Sequence, residues 1–181
     1  MSTLYASVDT VQKTEEREAA KPLRVCFVCT GNTCRSPMAQ AVANAMAESA
    51  LGMFPESVRA FSVPPVEATS AGLYPVEGAS ISEGACTALE RDGVPTTRQG
   101  DYHDHRAKRL TQETVEHADL LVGMTRTHAM ELLLRFPEAA GRIACMPQEI
   151  ADPYGGDEEV YASCLQQIKA CVKELLAAYL P

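Results

Sequence analysis

Leu23-Arg24-Val25-Cys26-Phe27-Val28-Cys29 is a short, mostly apolar run, and Thr30-Gly31-Asn32-Thr33 ends it abruptly. Such a run reads as a buried parallel strand. From Ser36 the pattern turns helical, with Pro37 in the first turn and Met38, Val42 and Met46 four residues apart. A strand fed through so tight a turn into a helix leaves the chain few options. The helix must cross back over the sheet, and the next strand must lie parallel to the first.

The rest of the chain repeats that alternation. Val66–Ala71 reads as a second strand, 120–124 as a third and 142–146 as a fourth. Helices are expected near Ser82–Arg91, ending at Gly93, and over a short stretch capped by Thr111 and running to His117. Another follows the third strand to Arg135 with Thr127 as its cap, and a last one spans about Glu158–Tyr179. Strands alternating with helices predict an α/β fold of three layers, a four-stranded parallel sheet with helices on both faces, flavodoxin-like in plan. Ligands in such sheets bind beyond the carboxyl ends of the strands, where the strand order reverses. The 181 residues suffice for one such domain, taken as 22–181. Residues 1–21 read as a polar tail, and 50–65, with Gly52, Pro55, Pro64 and Pro65, as a loop insertion.

Net charge is −8, which argues against nucleic acid or an anionic membrane as partner. No apolar stretch is long enough to span a bilayer, and 1–21 lacks the apolar core of a signal peptide, so a cytoplasmic location is expected. The seven cysteines are an odd set, and no structural zinc site is expected among them. Most are expected to be small buried hydrophobes.

Cys29 and Arg35 enclose five residues, Thr30-Gly31-Asn32-Thr33-Cys34, and Ser36 follows. Five residues can wrap so that backbone N–H groups converge on an anion. Gly31 and Asn32 are the types that tolerate positive φ in such a turn. The helix beginning near Ser36 adds its N-terminal donors. A cysteine at the centre of that nest is favoured as the thiolate, a nucleophile. The planar fork of Arg35 can hold two phosphoryl oxygens at once. Ser36 can donate a hydrogen bond to the sulfur. The pattern alone also fits two buried cysteines beside a surface arginine; its placement between strand and helix disfavours that.

Two-step phosphoryl transfer also needs an acid and then a base. Asp152, in Asp152-Pro153-Tyr154-Gly155-Gly156, follows the fourth strand and can return to the same sheet edge. Pro153 holds Asp152 extended. On spacing alone these residues also make an ordinary Asp-Pro turn.

With both segments in hand, the chain resembles the low-molecular-weight protein tyrosine phosphatase family from about Leu23 to Leu176. The likeness is carried by the loop with Pro37-Met38-Ala39, by Ser70-Ala71-Gly72, by His105–Leu110, and by Asp152-Pro153-Tyr154 with Val160-Tyr161 and Cys164. The resemblance implies a phosphocysteine intermediate on Cys29, with Ser70 and His105 supporting Asn32. It implies Cys34 as a partner for a reversible disulfide with Cys29, and packing behind the loop is the other reading of that residue. The substrate is then a phosphorylated protein or peptide, the product inorganic phosphate, and neither cofactor nor metal is required. The oligomeric state is left open.

Phosphotyrosine is the first substrate expected, with Tyr154 flanking its ring. Thr33, where most tyrosine-specific members carry an apolar residue, resembles the protein arginine phosphatase branch, so phosphoarginine is the competing substrate. Arsenate reduction would need relay cysteines. Cys164 and Cys171 sit instead in a helical core stripe with Val160, Ile168, Val172 and Leu175. A phosphocarrier module would lack the Arg35 clamp.

Overall fold

A computed structural model describes residues 21–52 and 65–179. The polar tail and most of the proposed 50–65 insertion lie outside the described residues. Four strands, β1 (Leu23–Cys29), β2 (Val66–Gly72), β3 (Leu120–Gly123) and β4 (Ile143–Cys145), form one parallel sheet in the order β2-β1-β3-β4. Around it lie α1 (Arg35–Leu51), α2 (Glu83–Arg91), α3 (Gln112–His117), α4 (Arg126–Arg135) and α5 (Glu158–Tyr179). Short 3-10 turns occupy Tyr102–Asp104 and Pro137–Arg142.

The period of two along β1 divides the interior. Val25, Phe27 and Cys29 face a core shared with α1, α2 and α5. Cys26 and Val28 face a second core with Leu110, Val115, Leu121 and Leu132. Cys26 and Cys29 have Cys-x-x-Cys spacing, yet three residues along a strand put them on opposite faces. Burial holds Cys26 as a thiol, its pKa pushed up to about 11. The alanines of α1 let it lie close on the sheet, and α5 packs against α1 over the same core. The three-layer α/β/α arrangement expected from the alternation is thus observed. The strand order reverses beside β1, so its carboxyl end opens at the switch point.

Three local expectations are corrected. Helix α1 runs through Leu51, whose side chain is buried, so Ala50 and Leu51 belong to the helix. Thr125, not Thr127, caps α4: its hydroxyl accepts the His128 N–H, and the helix starts immediately at Arg126. In the α5 stripe Ile168, Val172 and Leu175 are buried with Cys164 and Cys171, but Val160 is exposed, because in the first turn it is Tyr161 that faces the core.

Candidate active site

The loop after β1 is held open from outside by its carbonyls. Thr30 O accepts the Tyr74 N–H at 2.9 Å and Thr33 O the Ser82 N–H at 2.8 Å. Asn32 O lies 2.7 Å from His105 Nε2. A trans peptide points its N–H opposite to its C=O. With these three carbonyls turned outward, the N–H groups of Gly31, Thr33 and Cys34 turn to the concave side. The Asn32 N–H reaches Cys29 Sγ at 3.3 Å, and Ser36 Oγ is hydrogen-bonded to the same sulfur at 3.0 Å.

Asn32 is the keystone. It is fully buried and has φ 55°, the one non-glycine positive φ among the described residues. Its Nδ2 donates to Ser36 Oγ at 3.0 Å and to Ser70 Oγ at 2.9 Å, and Ser70 passes its own proton to Gln40 Oε1 at 2.7 Å. Its Oδ1 accepts the Lys108 N–H at 2.9 Å. The left-handed turn falls on Asn32 alone, and Gly31, expected to share it, has no positive φ. Gly72 permits the close approach of β2. A Cβ there would stand 3.0 Å from Thr30 O and 3.1 Å from Asn32 Cβ.

His105 is neutral: burial depresses its proton affinity. Since it faces a carbonyl, Nε2 must carry the proton. Ser70 and His105 therefore both bond to Asn32. Sequence reasoning missed a further support. His128 sits in the wall with Nε2 3.0 Å from Thr30 Oγ1 and Nδ1 2.8 Å from Thr125 Oγ1. Burial, and next the nearby Arg35 charge, keep it neutral too. The Thr125-x-x-His128 spacing was its only sequence signal.

Arg35 is buried at the base of α1. Its Nη2 donates to Asp152 Oδ2 at 2.7 Å and its Nη1 to Ile150 O at 3.3 Å. Two of five donors are thus engaged, and three are left for phosphoryl oxygens. Asp152 is half-exposed on the rim, and its Oδ1 accepts the Tyr154 N–H at 3.3 Å. Cys34 points behind the loop, with Sγ 3.2 Å from Ser82 Oγ and 3.6 Å from Tyr161 OH.

The cleft above the loop has a volume of about 470 Å³. Cys29, Gly31 and Arg35 form its floor, and Thr33, Tyr74, Val76, Ala79 and Tyr154 its walls, with Asp152 at the edge. Tyr154 is highly exposed. Tyr74, unnoticed in the sequence, is fixed by its hydroxyl on Glu131 Oε1 and by the Arg135 guanidinium 4.6 Å above its ring. A more apolar groove of about 500 Å³ lies between α1 and Val94; its charged lining is Lys173 and the Asp92–Lys169 ion pair, with no cysteine or arginine among its residues. The site is at the cleft over Cys29, where the chemistry is.

Residues 24–180 match the family model described as low molecular weight phosphotyrosine protein phosphatase. The chain is 32% identical over 161 residues to a protein-arginine-phosphatase of Geobacillus stearothermophilus, covering 85% of this chain and 94% of that one. It is 36% identical over 174 residues to low molecular weight protein-tyrosine phosphatase A of Mycobacterium tuberculosis, covering 86% and 95%. A crystal structure of a low molecular weight protein tyrosine phosphatase from T. tengcongensis superposes with a TM-score of 0.72, at 34% identity, over 86% of this chain and 99% of that one.

Proposed function

The chain belongs to the low molecular weight phosphotyrosine protein phosphatase family, a family of phosphoric monoester hydrolases, and we propose that it dephosphorylates protein side chains through a phosphocysteine on Cys29. The observation that carries this is the convergence of Cys29 Sγ, the Arg35 fork and the Asp152 carboxyl on one cleft, with three loop carbonyls turned away from it.

The thiolate of Cys29 attacks phosphorus, and the bond to the leaving atom breaks. Inward N–H groups and the free donors of Arg35 hold the equatorial oxygens as charge develops on them. Asp152 gives its proton to the departing atom. The incoming phosphoryl oxygens compete with Asp152 for the Arg35 donors. In the second step water attacks phosphorus, Asp152 takes the water's proton, and the S–P bond breaks to release inorganic phosphate. The Ser36 hydroxyl then donates to the returning thiolate. Burial pushes the Cys164 thiol up to about 12, which disfavours it as a relay for arsenate reduction.

For the substrate, Thr33 supports phosphoarginine. Thr33 is one of the residues that line the cleft, and the polar contact of its hydroxyl is only a 3.7 Å approach to Cys34 Sγ. A guanidino N–H could satisfy that hydroxyl, whereas a phenyl ring laid on it would bury it without a partner. The two flanking tyrosines, Tyr74 and Tyr154, support the second reading, phosphotyrosine, since either ring can stack on an aromatic phosphoester. The test is kcat/KM on matched phosphoarginine and phosphotyrosine peptides under reducing conditions. We expect phosphoarginine to be preferred, and Thr33→Ile to move the ratio toward phosphotyrosine. A preference for phosphotyrosine that Thr33→Ile leaves unchanged would make Thr33 incidental. Loss of neither activity in Cys29→Ser would refute the mechanism itself.

A further inference from the structure

Cys86 and Glu90 stand four residues apart on α2 and so share one face of that helix. His103, in the turn Tyr102–Asp104, faces them from across a short gap. Neither the loop nor the cleft uses any of the three. Among the described residues this is the one group of three His, Cys, Asp or Glu side chains whose ligand atoms all lie within 4.8 Å of one another. Cys86 Sγ is 3.8 Å from Glu90 Oε1, and His103 Nε2 is 2.9 Å from the same oxygen. The other imidazole nitrogen is already engaged: Nδ1 lies 2.5 Å from Asp101 Oδ1. Asp101 in turn is anchored by accepting the His103 backbone N–H at 2.9 Å. The Tyr102 ring stacks on the imidazole with centroids 4.4 Å apart.

We propose that Cys86, Glu90 and His103 form a zinc site, with Asp101 orienting the imidazole and the fourth coordination position open to water. The donor set selects the ion. One thiolate, one imidazole and one carboxylate suit a borderline-soft cation, whereas Mg²⁺ and Ca²⁺ want oxygen alone. Zinc bond lengths in a tetrahedron set donors about 3.3–3.5 Å apart, and the two separations here, 3.8 and 2.9 Å, lie on either side of that distance. The carboxylate–histidine pair is the outer arrangement that fixes the tautomer of a zinc-bound imidazole. On binding, the Cys86 thiol and the His103 Nε2–H each lose a proton to solvent, sulfur and Nε2 then give a lone pair to the ion, and the Nδ1 proton stays donated to Asp101. Cys86 is half-buried and the other two are exposed, so the ion enters directly from solvent.

The site has a mechanical consequence. Helix α2 begins at Ser82, whose N–H holds Thr33 O, and the turn continues into His105, which holds Asn32 O. Zinc would join the two elements that brace the phosphate loop, and binding to the folded chain alone raises its melting temperature.

The active-site thiols would compete for metal, so the test uses the full chain carrying Cys29→Ser and Cys34→Ser, titrated with Co²⁺ as the spectroscopic probe and then with Zn²⁺. We expect one equivalent of Co²⁺, a thiolate-to-cobalt charge-transfer band, its stoichiometric displacement by Zn²⁺, and a rise in melting temperature with either ion. In the same background Cys86→Ser should abolish the band, His103→Ala should weaken binding at least tenfold, and Asp101→Asn about tenfold. These positions are at the surface, so circular dichroism without metal should be unchanged, and a lost band then reports a lost ligand. A band that survives Cys86→Ser, an affinity unmoved by His103→Ala, or no stoichiometric binding would each overturn the proposal.

Discussion

Asn32 is where a single substitution should test the architecture of the loop most sharply. Asn32→Ala removes the donations to Ser36 and Ser70 and the acceptance from Lys108, at about 1 kcal/mol each in net stability, about 3 in all. Alanine at φ 55° adds a left-handed penalty of about 1 kcal/mol, for a loss of about 4. Asn32→Gly loses the same bonds but tolerates the conformation, so it should be more stable than the alanine variant by about 1 kcal/mol. For a chain of this length, 4 kcal/mol corresponds to a fall of roughly 8–16 °C in melting temperature. Activity should fall by about a hundredfold or more in both variants, because the inward N–H groups depend on the turn that Asn32 holds. Urea unfolding and kcat/KM on an aryl phosphate measure both effects. If alanine proved as stable as glycine, the left-handed turn would not be under side-chain control. If either variant kept full turnover and lost less than about 1 kcal/mol, Asn32 would not be the keystone.

Asp152→Asn should slow poor leaving groups far more than activated aryl phosphates; equal loss on both would remove Asp152 from the acid role. Gly84→Ala should destabilise the fold by about 1–3 kcal/mol, because its Cβ would stand 2.4 Å from the Tyr161 ring that packs against Cys34, and Tyr161→Leu in the same chain should recover part of the loss in thermal denaturation. Burial depresses the proton affinity of His105 and His128 in the folded state, so the unfolded chain takes up protons first as pH falls through about 6.5. Their contribution to stability is complete above that pH and declines below it, while exposed His103, raised by its bonds to Glu90 and then Asp101, acts in the opposite sense. Replacing His105 by Gln should therefore flatten the fall in urea stability between pH 7.5 and 5.5, and an unchanged slope would show that its neutral form does not matter.

What the sequence made readable was local. The β1–loop–α1 unit lies in 29 consecutive residues, and its strand period, tight turn and helical spacing all appear within reach of one another. The Thr111 cap was legible because its partner N–H is three residues away. Thr125 and Thr127 are two apart before the same helix, and which one caps depends on where β3 releases the chain, which composition does not encode. Tyr74 and His128 escaped notice for a different reason. Their partners, Glu131 and Thr30, lie 57 and 98 residues away in the chain, and only the folded sheet edge brings them together. The Arg35–Asp152 pair, 117 residues apart, is likewise made only by the fold, although each member has its own local signature in the sequence. Cys26 and Cys29 show the converse: a spacing that suggests a shared ligand is undone by the two-residue period of a strand. The division follows the chemistry. An anion nest must be built from successive peptides, so its sequence is contiguous. The braces that turn its carbonyls outward need only reach the loop's outer surface, and they do so from two connections, Tyr74 and Ser82 between β2 and α2 and His105 between α2 and α3. The walls come from the loop at Thr33, from the first of those connections at Tyr74 and from the one after β4 at Tyr154, so substrate choice is a property these three residues must decide together.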